Sequence, residues 1–219
     1  VSIPAERSPD YQVDPKVHCV PINALTSITR SWNRYIVIGA GKTGLDAILR
    51  LLDKQIAPDH ITWIMSHDPL LFNRDLMNSE IFAVEFPKQL RATIRTANAV
   101  DYLRTFEKHN WIMRLDPSIE TEHCRCATVT IDELAQLRRI SNIIRLGRVT
   151  QIDANEIIIE PGHIPDGPTT LHIDCKANGI ERRTARPVFD GNRITLQPLV
   201  LCQHIFSAAM IASLEIREK

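Results

Sequence analysis

Nine residues, Ile36-Val-Ile-Gly-Ala-Gly-Lys-Thr-Gly44, constrain this chain more than any others. The apolar run from Arg34 to Ile38 predicts a strand buried on both faces of a parallel sheet. Beyond the glycines, Leu45, Ile48, Leu49, Leu51 and Leu52 recur at helical spacing, and Pro58 is expected to end that helix. Ile61 to Met65, with Trp63 inside it, reads as a second strand. Strand, glycine turn, helix and strand fit within about 30 residues, the size of a βαβ unit.

Such a turn suits an anion. Gly39 allows the sharp exit from the strand, Gly41 lets bare backbone approach a phosphate, and Gly44 lets the helix pack closely on the strand. The helix start adds free N–H groups and a partial positive charge. Lys42 adds a full positive charge, and Thr43 a hydroxyl donor. Gly39, Ala40, Gly41, Lys42, Thr43 and Gly44 are therefore the expected cradle for a dinucleotide pyrophosphate. The alternative is a glycine-rich turn with a structural role only. A kinase or ATPase loop is disfavoured, because the lysine precedes the last glycine instead of following it.

Nucleotide choice is set at the end of the second strand, where an acid is expected to bind the ribose. Ser66 stands near that position, followed by His67 and Asp68, and Arg74 lies within reach of a 2′-phosphate. Asp68 reaches a ribose if the strand runs longer. The pattern favours NADP(H) over NAD(H), while His67 and Arg74 also read as ordinary loop residues.

The remainder bounds the answer. The chain has 219 residues, 44% hydrophobic and 24% charged, which is globular composition. Its 26 basic and 26 acidic residues balance, and aromatics are only 5%, so nothing points to nucleic acid. No apolar run approaches the roughly 20 residues of a membrane span. Five scattered cysteines read as reduced thiols, hence a cytoplasmic setting. His123-Cys124-Arg125-Cys126 lacks the second ligand pair of a zinc site, and its cysteines read as small buried residues. Asp46 fits either a ribose contact or a helix-dipole charge, and Arg138, Arg139, Arg145 and Arg148 a solvated face.

Elsewhere the pattern predicts a short strand at 17–20, a loop over 68–82, helices at 88–97 and 98–109, and a strand or extended link at 124–129. A capping box, Thr130-Ile-Asp-Glu133, opens a helix running through Ile143 and Ile144 to Gly147. Strands follow at 148–152, 156–160, 171–175 and 193–200, with a Pro/Gly link at 161–168 and a closing helix at 207–216.

Tyr35 to Ala47, Ile61-Thr-Trp-Ile64 and Asn73-Arg-Asp75 together resemble the pyridine-nucleotide segment of flavin-containing monooxygenase-like oxidoreductases, which are two-dinucleotide-binding-domain flavoproteins. Leu171 to Gly179 is similar to their late flavin-side motif, with Asn178 in place of the usual threonine, and Phe206 to Ala212 to their closing helix. The resemblance implies an α/β, Rossmann-like three-layer domain with a parallel sheet and a small antiparallel β addition. It implies an extended connector at 1–30, an NAD(P)-binding domain at 31–175, and a segment at 176–219 returning to a flavin domain. Ala177, Asn178 and Gly179 would lie beside the flavin. The family's N-terminal FAD fingerprint is absent, so FAD requires a further N-terminal region, a flavin-binding domain or a second subunit. The expected function is hydride delivery from NADPH to a flavin. The alternatives are a non-catalytic NAD(P) sensor module, or an interaction domain keeping the turn only as structure.

Overall fold

Apolar residues on both sides of a central strand require two covering layers, and this sets the architecture. The computed structural model describes residues 8–121, 124–176, 184, 186–199 and 204–217. The chain divides into two compact units, Val1–Gly179 and Ile180–Lys219. In order, the first unit holds β1 (Gln12–Val13), β2 (His18–Pro21), β3 (Arg34–Ile38), α1 (Lys42–Asp53), β4 (Ile61–Ile64), β5 (Leu70–Asn73), α2 (Ser79–Ile94) and α3 (Ala99–Lys108). It continues with β6 (Ile112–Arg114), β7 (Cys124–Val129), α4 (Ile131–Leu137), β8 (Ile143–Ile144), β9 (Val149–Ile152), β10 (Glu156–Ile159), β11 (Gly162–Pro165) and β12 (Thr170–Asp174). The second unit holds β13 (Phe189–Asp190), β14 (Arg193–Ile194) and α5 (His204–Arg217).

The centre is a five-stranded parallel sheet in the order β2-β12-β3-β4-β8. Tyr35 and Val37 point to one face, where they pack with Leu45, Ile48 and Leu51 of α1 and Leu134 and Leu137 of α4. Ile36 and Ile38 point to the other, against Val149, Ile152, Ile157 and Ile159. Alternate residues of one strand thus feed two cores, which is why no charged residue interrupts Tyr35 to Ile38. The second covering layer is the sheet β1-β9-β10-β11, in which β9, β10 and β11 are antiparallel. A third sheet, β6-β5-β7, lies between β4 and α4 in the chain and shares a small core of Leu70, Phe106, Trp111 and Ile112 with α3.

Several elements differ from the sequence expectation. Helix α1 stops at Asp53, before Pro58. Gln55 takes φ +63°, its N–H reaches the Leu52 carbonyl at 2.9 Å and the Ile56 N–H the Leu51 carbonyl at 3.1 Å. That is a Schellman end with glutamine where glycine is usual, so the sequence signal was missing. The expected loop at 68–82 contains strand β5. Helix α2, expected only from residue 88, begins at Ser79 on an Asn78 cap and runs through Pro87. Strand β6 was not anticipated.

The helix opened by the capping box ends at Leu137, and Ile143 and Ile144 instead form an edge strand on Trp63 and Ile64. Arg145 is half-buried on Asp68 and does not belong to a solvated face, whereas Arg138, Arg139 and Arg148 are exposed, Arg138 while donating to the carbonyls of Arg114 and Leu115. The 161–168 link holds β11, and of the 193–200 strand only Arg193–Ile194 forms within the described residues. Cys126 is disulfide-bonded, against five reduced thiols, while Cys19 and Cys175 are free. Among the described residues no helix is long and apolar enough to cross a membrane.

Candidate functional site

The glycine turn leaves the carboxyl end of β3 where the strand order reverses. From β3 the chain proceeds outward through β4 to β8, while β12, later in sequence, sits on the opposite side. Parallel α/β sheets open a crevice at such a point, outside the carboxyl ends of the strands.

Both neighbouring strands fasten the turn. The Gly39 N–H donates to the Ile64 carbonyl of β4 at 2.9 Å, and the Cys175 N–H, just past β12, donates to the Ile38 carbonyl at 2.9 Å. The buried Trp63 indole N–H donates to the Gly39 carbonyl at 2.9 Å. Gly39 has φ +117°, and a Cβ there would stand 3.1 Å from the Cys175 carbonyl carbon and oxygen. A Cβ on Gly44 would stand 2.1 Å from the Gly39 carbonyl oxygen. Both positions exclude any side chain, one for conformation and contact, the other for helix-on-strand approach.

Gly41 behaves differently. It is the N-cap of α1, with φ −77° and ψ 176°, and no side chain caps the helix. A Cβ there would meet nothing within 4 Å. The absent side chain therefore leaves open space over the first turn of a twelve-residue helix. Lys42 stands in that first turn and is ion-paired with Asp46, four residues on. Asp46 thus serves Lys42.

The loop after β4 uses its side chains otherwise. Ser66 and His67 are exposed beside the turn, with the His67 ring Nδ1 2.9 Å from the Ser66 hydroxyl. Asp68 is 5% exposed and held by a fork from Arg145, Nε at 2.6 Å and Nη2 at 3.1 Å. Its carboxylate is committed to the protein and is not offered to a ribose. Arg74 pairs with Glu133, whose other oxygen accepts the Thr130 N–H at 2.9 Å. Asp75 accepts the Ile131 N–H at 3.0 Å, so the arm 73–75 is clamped to the start of α4. Burial pushes the Glu133 carboxyl up, but the Thr130 N–H, Arg74 and Lys42 outweigh it and hold it below the ordinary range. Lys42 and Arg74 therefore both act on one carboxylate. Glu133 had been read only as a capping residue, and nothing local in sequence links it to position 74.

At the β12 side, Lys176 pairs with Asp10 at 2.7 Å and lies over the Tyr11 ring. The buried Tyr11 hydroxyl faces Asp174 and Cys19. Burial pushes Asp174 and Tyr11 up, and the Cys19 thiol up to about 11. Ala177, Asn178 and Gly179 lie outside the described residues, as does His123.

No family model matches this chain, and no solved structure matches it. Its relatives include proteins of Mycobacterium bovis and of two strains of Mycobacterium tuberculosis, each described only as an uncharacterized protein. Each is 42% identical over 219 residues, which is 97% of this chain and 40% of the relative. The chain thus spans less than half the length of the curated relatives it matches.

Proposed function

We propose that the first unit is a Rossmann-like domain that binds a nicotinamide dinucleotide, NADP(H) in preference to NAD(H), with the pyrophosphate over residues 39–44. The observation that carries the reading is the division of labour among the three glycines. Gly39 and Gly44 are demanded by the protein's own packing, but Gly41 is not, since a Cβ there meets nothing. A glycine that packing does not require, placed at an uncapped helix start, fits a position kept bare for an incoming anion.

In this reading the amides of the first turn of α1 hold the pyrophosphate, with Lys42 supplying charge and Thr43 a hydroxyl. Ser66 and His67 lie where the adenosine ribose would rest, and Arg74, here paired with Glu133, is the cation for a 2′-phosphate. Asp68 is excluded from that set by its fork with Arg145. The full protein's activity is proposed to be that of a flavin-dependent, monooxygenase-like oxidoreductase. There a bound reduced nicotinamide supplies hydride to a flavin carried by another region of the protein or by a second subunit. The sequence resemblance supports this, and the chain's 40% share of its relatives leaves room for such a region.

The test is titration of the protein with NADPH and NADH, followed by the same titration of Lys42→Glu. Saturable binding that falls by about tenfold or more on charge reversal beside the phosphates supports the reading. Binding of neither nucleotide refutes it. A flavin absorption band in the purified longer protein separates the oxidoreductase from a colourless sensor module.

A further inference from the structure

Arg74 is not free in this structure. Its guanidinium is paired with Glu133, and the pair is only partly covered, with side chains 39% and 27% exposed. The backbone around Arg74 is fixed independently. Asn73 accepts the Asp75 N–H at 3.0 Å, and Asp75 accepts the Ile131 N–H at 3.0 Å. Glu133 is likewise fixed by its capping box, donating its own N–H to Thr130 Oγ1 at 3.0 Å while its carboxylate accepts the Thr130 N–H. Two backbones, joined by the Asp75–Ile131 hydrogen bond, therefore also carry the breakable Arg74–Glu133 ion pair between them. Helix α4, which carries Glu133, packs with α1 through Leu134 and Leu137 against Leu45 and Ile48, and Lys42 in the first turn of α1 helps to lower the same carboxyl, so Glu133 stands at the margin of the proposed coenzyme site.

Resting on the dinucleotide reading above, we infer that Glu133 is a specificity-determining charge gate: it occupies Arg74 until the 2′-phosphate of NADPH displaces it. A dianionic phosphate offers more charge and a better fork for a guanidinium than a monocarboxylate does, so it wins the exchange. A ribose bearing only hydroxyls offers no competing anion, and with NADH the Arg74–Glu133 pair stays closed. Exchange needs only side-chain rotation, because both backbones are held elsewhere. Glu133 also repels a phosphate directly, and this lowers NADPH affinity below what Arg74 alone would give.

Glu133→Gln tests the gate cleanly, since glutamine keeps the capping box and removes only the charge. NADPH and NADH affinities are measured for the wild type, Glu133→Gln, Arg74→Ala and the double variant, with thermal unfolding alongside. The gate predicts that Glu133→Gln tightens NADPH about fivefold, leaves NADH within about twofold, and unfolds near the wild-type temperature. The gain should vanish when Arg74 is already alanine. An unchanged NADPH-to-NADH ratio in Glu133→Gln, or a gain that survives in the double variant, overturns the gate while leaving dinucleotide binding intact. A wild type that binds neither nucleotide overturns the underlying reading, and the gate with it.

Discussion

Two turns leave the carboxyl edge of the parallel sheet from adjacent strands, and they are built on opposite principles. The β3–α1 turn is made of backbone. Its glycines are pinned from below by the Ile64 carbonyl, the Trp63 indole and the close approach of Cys175, and its outer side is left bare at Gly41. The β4–β5 turn is made of side chains already in use. Asp68 is held by Arg145, and Arg74, just beyond β5, is held by Glu133. A ligand meets the backbone of the first turn without displacing anything at Gly41, and among its side chains only Lys42 is shared, with Asp46. At the second it must compete with an internal partner. General affinity belongs to the first region, and discrimination between similar ligands to the second.

This contrast breaks first at Gly44. Gly44→Ala places a Cβ 2.1 Å from the Gly39 carbonyl oxygen, so α1 must lift from the sheet. The expected cost is about 3 kcal/mol or more, read as a shift in the denaturation midpoint. A loss under about 0.5 kcal/mol would mean the turn is not clamped as described.

The next effect in size is at Asp68. Asp68→Ala leaves the Arg145 guanidinium with the more distant Asp116, at 3.8 Å, and should cost about 2 kcal/mol, below the range for a fully buried pair because Arg145 is 28% exposed. Coenzyme affinity of the folded fraction should not change. A selective loss of nucleotide binding with normal stability would return Asp68 to the ribose site.

The smallest effect is on acid stability. Glu133 is held below its ordinary value of 4.5, so its contribution is complete above that pH and is lost as pH falls below it, through the folded value. With the pair partly exposed, the contribution is under about 1 kcal/mol. Glu133→Gln should therefore lower stability at pH 7 by that small amount, converge on the wild type in acid, and flatten the profile below pH 4.5. An unaltered acid limb would show that the Thr130 N–H and Arg74 together do not hold the Glu133 carboxylate in solution.

What could be read in the sequence was what local pattern controls. Strand β3, the start of α1 and the capping box of α4 each carry their own signal within a few residues, and each stands as read. The two-sided burial of β3 was legible because a strand covered on both faces cannot alternate. The misreadings are of two kinds. Some arose where an unusual residue does a familiar job: Gln55 closes a helix as glycine usually does, and Pro87 lies inside α2. Others arose where tertiary pairing overrode period. Ile143 and Ile144 extend the apolar period of α4, yet join the sheet because β4 has an open edge there. At the site, the cradle was visible because glycine spacing is local. The fates of Asp68 and Arg74 were not, because their partners lie 77 and 59 residues away.

The most direct measurement is coenzyme titration and thermal unfolding of Gly41→Ser beside the wild type. Serine is at least as good an N-cap as glycine, and its Cβ enters open space, so the fold should hold or gain a few tenths of a kcal/mol. The same side chain would occupy the ground kept for the pyrophosphate, so NADPH affinity should fall by about tenfold or more. Unchanged affinity in a normally folded Gly41→Ser protein would contradict the account, because the bare position would then have no ligand to serve.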